Sequence, residues 1–308
     1  MAEIKNIVVL YGGSSSEREV SLKSGKGINQ SLLEIGLESS LKDFSDIKNL
    51  QSLAEYDLVF IALHGFEGES GRLQKELDNL NIRYTGSSSI ACMNTWNKSS
   101  FKKILEENAI STPRGFSVER LDASMESPFA IFYNKHNTAI EKMFLKPVED
   151  GSSIDIFEIN SDNDLTNSIN KSINPDRPFI FEEAIKNREF TVTILNNQCL
   201  PILEIITQNS FYDYDAKYIS NDTQLLEADL CKEDKERIND LSLRAYKETG
   251  CSGWGRVDIL QDTDEQFYIL EINTVPGMTS HSCVPRSAAL AGLSYNDLVE
   301  QIIKDAAK

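Results

Sequence analysis

The chain contains no CxxC pair: its five cysteines, Cys92, Cys199, Cys231, Cys251 and Cys283, are odd in number and widely scattered. That spacing offers neither a zinc site nor a disulfide framework, and a reducing cytosol is the expected compartment. Long hydrophobic runs are also missing. The apolar run Ile7–Leu10 near the N-terminus is too short for a signal-peptide core, and no stretch is long enough to span a bilayer, so no membrane association is expected. Positive charge is scarce, with 31 Lys and Arg against 48 Asp and Glu and a net charge of −17. Phosphate backbones are held by clustered Lys and Arg, so a nucleic-acid partner is not expected. Two nucleotide signatures are absent. Gly25-Lys26 has Val20 where a P-loop requires glycine, and Gly12-Gly13-Ser14 misses the dinucleotide fingerprint, which leaves a Rossmann oxidoreductase unsupported. There is no internal repeat.

What is present is an ordinary globular composition, 40% hydrophobic and 26% charged, over 308 residues, a length suited to two or three packed units. Ile4–Tyr11 reads as a buried strand ending in the Gly12–Gly13 turn, followed by a helix over Arg18–Ile35 that Gly36 stops. Asp57–Leu63 reads as the next buried strand, and Leu73, Leu77 and Leu80 mark a helix. This alternation predicts a small parallel sheet up to about residue 90. Phe101, Ile104, Leu105 and Asn108 fit one short helix, broken at Thr112–Pro113, and the chain then reads as strands around a helix to about residue 182. The last part carries strand signals at Glu189–Leu195, Cys199–Ile206, Gly253–Leu260 and Gln266–Ile272, with helices at Lys232–Thr249 and Tyr295–Ala306. The expected architecture is a series of α/β and α+β lobes over residues 1–95, 96–182 and 183–308.

Chemistry concentrates near the C-terminus. In Arg256-Val257-Asp258-Ile259-Leu260 the alternation puts Arg256 and Asp258 on one face, and in Tyr268–Asn273 it does the same for Glu271 and Asn273. If the two strands pair, two carboxylates and an amide oxygen converge beside an arginine. Hard oxygen donors of this kind suit Mg²⁺, which usually bridges phosphates instead of sitting in a closed cage. Lys146-Pro147 followed by Asp150-Gly151-Ser152-Ser153 offers a charge, N–H groups and hydroxyls to an anion, although Gly-Ser turns are commonly only turns. Lys98, at the start of a helix, is a second candidate phosphate ligand, with a surface lysine as its default reading. Tyr212–Tyr218, aromatic and charged at once, fits a loop closing over a site or an exposed irregular loop. His64, after the second predicted strand, sits where parallel sheets bind ligands or serves as a hydrogen-bonded structural residue. His136 is assigned no role.

Taken together, these stretches resemble the D-alanine–D-alanine ligases of the ATP-grasp superfamily over essentially the whole chain. The matching runs are Gly12–Leu22, His64–Glu69, Tyr84-Thr85-Gly86, Lys146-Pro147 through Gly151-Ser152-Ser153, and Arg188–Val192. They continue with the Phe211–Tyr218 loop and the span from Gly253-Trp254-Gly255-Arg256-Val257-Asp258 to Asn273–Ser282. The resemblance implies an ATP-grasp fold, an N-terminal parallel-sheet lobe followed by two lobes that clasp ATP. It implies a two-step reaction: ATP phosphorylates the carboxylate of one D-alanine, and the amine of a second attacks the acyl phosphate. Lys98 and Lys146 would then hold ATP phosphates, Glu182 and Glu189 would frame the adenosine, and Asp258, Glu271 and Asn273 would carry two Mg²⁺ ions, with Mn²⁺ as a substitute. Arg256 would steady the acyl phosphate and the oxyanion, and Glu17 would take the first ammonium group. Ser152 and Tyr218 would join Glu17 by hydrogen bonds, and Lys217 would reach the transferring phosphate. His64 would support the first substrate, and Gly277 and Ser282 would contact substrate, with Ser282 receiving the second carboxylate. A cytoplasmic homodimer serving peptidoglycan synthesis is implied in the same way.

Departures from the family pattern are Ser70, Asn97, Asp150, Asp155 and Arg286. Asp155 stands where glycine is typical, and a carboxylate near ATP phosphates is repulsive unless it points away or meets a cation. Two other readings remain at this level: a ligase with D-serine or D-lactate as acceptor, which the tyrosine-bearing loop disfavours for lactate, and a non-catalytic nucleotide-binding protein.

Overall fold

Strand β1 (Asn6–Tyr11) is apolar along its centre because it is covered on both faces: Ile7, Val8, Val9 and Leu10 are fully buried in a computed structural model that describes residues 4–207 and 222–306. It lies between β2 (Glu38–Asp43) and β3 (Leu58–Ile61), parallel to both, in the order β2-β1-β3. A continuous apolar run is what a central parallel strand requires. Strand β2 was not legible in the sequence, since Glu38-Ser39-Ser40-Leu41-Lys42-Asp43 is an edge strand with only one large apolar residue. Helix α1 (Arg18–Glu34) ends as expected at Gly36, whose φ of 85° allows Leu37 to donate to the Leu32 carbonyl and close the helix. Helices α2 (Phe66–Glu69) and α3 (Arg72–Asn79) follow.

The single helix expected around Phe101 is the second of two. Helix α4 (Ser89–Trp96) is capped by Ser88, and α5 (Lys98–Glu107) by Asn97, whose side chain accepts from Ser100 N at 2.9 Å. The next sheet is antiparallel, order β4-β7-β5-β6, built from β4 (Gly115–Val118), β5 (Met143–Pro147), β6 (Phe157–Ile159) and β7 (Phe179–Glu183). Helices α6 (Pro128–His136) and α7 (Asp162–Lys171) accompany it.

The third sheet runs β11-β10-β8-β12-β13, with β9 paired to β8. Its strands are β8 (Arg188–Leu195), β9 (Gln198–Cys199), β10 (Leu203–Ile206), β11 (Gln224–Glu227), β12 (Trp254–Gln261) and β13 (Phe267–Asn273). Asn196 and Asn197, both at positive φ, make the hairpin turn between β8 and β9. The strand expected over Cys199–Ile206 is split, because Pro201 has no N–H to give the ladder. Helices α8 (Lys232–Glu248), α9 (Cys283–Leu290) and α10 (Tyr295–Ala306) complete the described chain. None of the helices among the described residues is long and apolar enough to cross a membrane.

Three hydrophobic cores hold these layers. The first joins β1, β3 and α1 to Val275, Met278, Val284 and Leu298–Ile303, so the chain after β13 returns to the N-terminal sheet. The second packs Ala91, Phe101, Leu105 and Ile110 against Phe190, Val192, Ile238 and Ile259, which seats α4 and α5 on the third sheet. The third, with Phe116, Phe132, Leu145, Phe179 and Phe181, belongs to residues 116–181 alone. Elements near residues 90–110 and 275–306 thus pack across the lobe boundaries that chain order suggests.

Candidate active site

A cavity of about 630 Å³ opens where the three sheets meet. On its N-terminal side the loop after β1 is held tightly: Gly13 has φ 73°, and a Cβ there would lie 1.9 Å from Glu67 Oε2, so only glycine fits. Ser14 donates to Glu67 through both its N–H and its hydroxyl, at 2.8 and 2.9 Å. The loop delivers Glu17, buried at the start of α1, into the cavity wall; its side chain caps none of the helix N–H groups. Beside it, His64 is buried with both ring nitrogens engaged. Nδ1 lies 2.8 Å from the Val275 carbonyl and Nε2 3.2 Å from Ser24 Oγ, which also accepts from Met278 N. The carbonyl can only accept, so Nδ1 carries the proton and Nε2 accepts from Ser24. Burial pushes the imidazole below its ordinary value, Arg256 acting in the same sense and Glu17 against it. His64 therefore braces the wall of the site, tying the N-terminal lobe to the turn after β13.

Glu69, which the sequence reading did not single out, accepts from Gly65 N at 2.9 Å and lines the same cavity. Burial and the neighbouring Glu17 push its carboxyl up to about 8, so it is mainly a neutral acid at pH 7. Across the cavity, Lys98 Nζ donates to the Asp150 carbonyl at 2.7 Å, and Lys146 Nζ lies 2.7 Å from Glu182 Oε2. Burial lowers the Lys98 ammonium, offset in part by Glu271. Glu182 also pairs through Oε1 with Lys102 at 2.9 Å. Burial opposes its ionisation, but the two ammonium groups prevail and hold the carboxyl at about 2. Glu189, on β8, lines the cavity as well.

Strands β12 and β13 carry the oxygen cluster. In the antiparallel register Asp258 stands opposite Glu271, and Arg256 opposite Asn273. A one-residue bulge after Asp258 moves the pairing to Ile259 with Ile269, which leaves both of these fully buried while Leu270 faces the cavity. Asp258 accepts from Arg256 Nε at 2.8 Å, Arg256 Nη2 at 2.7 Å, Thr191 Oγ1 at 2.7 Å and Asn273 Nδ2 at 3.2 Å. With its amide nitrogen on Asp258, Asn273 keeps Oδ1 as a donor atom for a cation. The donors suit Mg²⁺ in kind, two carboxylates and an amide oxygen being hard ligands too few for a cage, with Glu271 and Asn273 on the cavity and Asp258 behind them, held by Arg256. No cluster of three His, Cys, Asp or Glu side chains arranged to hold a metal occurs among the described residues.

The loop after β5 brings Ser152 to the cavity. Ser152, Ser153 and Asp155 all have positive φ, which explains why glycine would serve at 155. Asp155 is turned away and neutralised: Arg177 reaches it at 2.7 Å and Asp150 at 2.9 Å, and Ser172 Oγ donates to it at 2.9 Å. Asn97 likewise suits its place, donating to Glu149 at 2.8 Å where an aspartate would be repelled. The Ser152 hydroxyl is buried with no hydrogen-bond partner among the described residues. Gly277 lines the cavity, and a Cβ on it would lie 2.8 Å from Ser282 Oγ. Ser282 stands behind it, accepting from Thr279 N at 3.1 Å. Tyr218, Lys217 and the rest of the Tyr212–Tyr218 segment lie outside the described residues.

A family model described as D-ala D-ala ligase C-terminus matches residues 104–304. The chain belongs to the D-alanine–D-alanine ligase family. A D-alanine–D-alanine ligase of Saccharophagus degradans is 39% identical over 308 residues, covering 98% of this chain and 94% of its own length. That of Marinobacter nauticus is 37% identical over 307 residues, covering 97% and 90%. Among solved structures, a D-alanine–D-alanine ligase from Bacillus anthracis complexed with ATP superposes with a TM-score of 0.84 at 29% identity, over 98% of this chain and 97% of its own. The VanG D-Ala:D-Ser ligase from Enterococcus faecalis gives 0.82 at 26% identity, over 99% and 100%. The chain thus shares the ATP-grasp fold of these ligases. The chain brings Glu17, His64, Lys98, Lys146, Ser152, Glu182, Glu189, Arg256, Glu271, Asn273 and Gly277 to one ligase cavity, with Asp258 directly behind Arg256. Sequence reading missed Glu69, Lys102 and Trp96, whose buried indole N–H has no partner among the described residues. The signal for Lys102 was available: it lies one helical turn from Lys98 on α5.

Proposed function

We propose that this chain uses ATP to join two D-alanines into D-alanyl-D-alanine, releasing ADP and phosphate, for peptidoglycan precursor synthesis. Family membership supports the reaction, and the opposed pair Asp258–Glu271, with Arg256 alongside and Lys98 and Lys146 on the same cavity, is the observation that carries it. In this reading Glu182 and Glu189 frame the adenosine and the two lysines take the phosphates. Glu17 accepts the ammonium group of the first D-alanine, and His64 supports that substrate by fixing the Val275–Met278 turn against the N-terminal lobe. A carboxylate oxygen of this D-alanine attacks the γ-phosphorus as the bond to ADP breaks. The amine of the second D-alanine then attacks the acyl carbon, loses a proton, and phosphate departs.

Arg256 offers a planar fork of donors to the acyl phosphate and to the oxyanion, and its bidentate pairing with Asp258 sets that fork in advance. Asp258, Glu271 and Asn273 would hold two Mg²⁺ ions, or Mn²⁺ in their place; when bound, these neutralise phosphate charge and align the transferring group. Ser282, next to Gly277, receives the second carboxylate. Ser152, Tyr218 and Lys217 complete the site as the family resemblance implies. The protein acts in the cytoplasm as a homodimer.

The test is ADP release with ATP and Mg²⁺, comparing D-alanine with L-alanine, and D-serine or D-lactate as second substrate. Release with D-alanine alone, yielding the dipeptide, is expected. Preference for D-serine would favour the acceptor chemistry of the VanG D-Ala:D-Ser ligase, and no release with any of them would favour a nucleotide-binding protein without turnover.

A further inference from the structure

Glu182 is shared by two ammonium groups that differ in how they are held. Lys146 lines the cavity, and among the described residues the one hydrogen bond of its ammonium group is to Glu182 Oε2, at 2.7 Å. Lys102 lies behind the carboxylate, outside the cavity lining, and is 5% exposed. It forms an ion pair with Glu182 Oε1 at 2.9 Å and donates to Thr112 Oγ1 at 3.0 Å and to the Pro113 carbonyl. The ion pair and the two hydrogen bonds engage the Lys102 amine on the side away from the cavity, so it has nothing left to offer a nucleotide; burial lowers the group and Glu182 opposes that. One cation is anchored and one is exchangeable.

On the reading above, Lys146 moves to the phosphates when ATP enters. Without Lys102, that transfer would leave Glu182 alone in a buried setting, where a carboxylate takes up a proton. A protonated Glu182 would present a donor to the base instead of an acceptor. We infer that Lys102 is a positioning residue for nucleotide recognition: it keeps the Glu182 carboxylate ionised and aimed while Lys146 exchanges from Glu182 to phosphate. Phosphate capture and base recognition are thereby coupled. As Lys146 leaves, Glu182 Oε2 becomes an acceptor for the exocyclic amine of adenine, and a purine bearing a 6-carbonyl is refused.

The experiment measures KM for ATP and ITP, kcat, KM for D-alanine and melting temperature in wild type, Lys102→Met, Lys102→Arg, Glu182→Gln and the double variant Lys102→Met/Glu182→Gln. Nucleotide dissociation constants by calorimetry give a readout independent of turnover, so failure of the ligase reading is separable from failure of this one. Lys102→Met is expected to raise KM and Kd for ATP by about tenfold or more, in line with loss of a buried charge-assisted bond. The preference for ATP over ITP should shrink, with kcat and KM for D-alanine within about threefold, and Lys102→Arg should recover most of the loss. The double variant should bind ATP no worse than Glu182→Gln alone, since Lys102 acts through Glu182. Unchanged ATP affinity in Lys102→Met, additive losses in the double variant, or a loss shared by all parameters in step with melting temperature would overturn the inference. Should Lys102→Met fail to fold, Thr112→Val removes one anchor outside the cavity. Weaker ATP binding with reduced ATP-over-ITP preference is then expected, and no change in either overturns the proposal.

Discussion

Asp258 receives four hydrogen bonds from three side chains, so its carboxylate cannot rotate without breaking several at once. A carboxylate held this way is fixed in orientation, with Arg256 as the cation it holds in this structure. Asp258→Asn or Glu271→Ala is expected to abolish ADP release while leaving the far-UV circular dichroism and melting curve close to wild type; near-normal turnover in either would refute the metal assignment. Arg256→Lys removes the fork but keeps the charge, and kcat should fall by about 10²–10³ with little change in KM for ATP. The two acidic residues beside the first-substrate site should behave differently. Glu69, with its carboxyl at about 8, is already mainly neutral at pH 7, and the glutamine in Glu69→Gln can still accept from Gly65. Glu69→Gln should leave KM for D-alanine within about threefold, whereas Glu17→Gln removes a charge and should raise it by about tenfold or more. A steady-state comparison of the two variants decides this. Asp258, Glu271 and Asn273 were legible because period-two alternation places them on strand faces. Glu69 was not, since its importance comes from Glu17, which is distant in the chain.

Among the elements, the β12–β13 hairpin and the loop after β5 do most to shape the site. The bulge after Asp258 is what lets Leu270 face the cavity while Ile259 and Ile269 stay in the core, and no residue pattern announces it. The loop over residues 150–155 spends three non-glycine residues at positive φ and is held by Arg177 bridging Asp150 and Asp155. Arg177→Met should release this loop, raising KM for ATP several-fold with KM for D-alanine unchanged, a split that initial-rate kinetics can read. Helix α5 carries Lys98 and Lys102, yet it is seated through Phe101 and Leu105 on the third sheet. Leu105→Ala should destabilise the protein by about 2–5 kcal/mol, measured as a lower denaturation midpoint. Helices α1, α3, α5, α8 and α10 were readable because each repeats apolar residues at helical spacing. Strand β2 was not, because an edge strand needs few apolar residues.

At the scale of the whole molecule, the site exists only because separate cores meet around it. Glu182 on the central sheet pairs with Lys102 on α5, which belongs to the second core, and His64 in the first lobe holds Val275 beyond β13. The Glu182 contact should appear in acid stability. Its carboxyl falls from 4.5 to about 2 on folding, so its contribution is fully present above pH 4.5 and is lost progressively as pH drops through about 2. Glu182→Gln should therefore melt well below wild type at pH 7, and the gap should narrow on acidification to pH 3; a constant gap would show that the pair does not contribute in this way. Strand and helix periodicity, together with ordered motifs from Gly12 to Ser282, determined the fold class, the family and most of the cavity wall, because local pattern and residue chemistry are written along the chain. Tertiary structure alone decided that α4, α5 and the last two helices pack across the lobes, that Asp155 meets Arg177, and that Lys102 stands behind Glu182. Those depend on burial and on charges brought together from distant segments, and burial is a property of the folded chain.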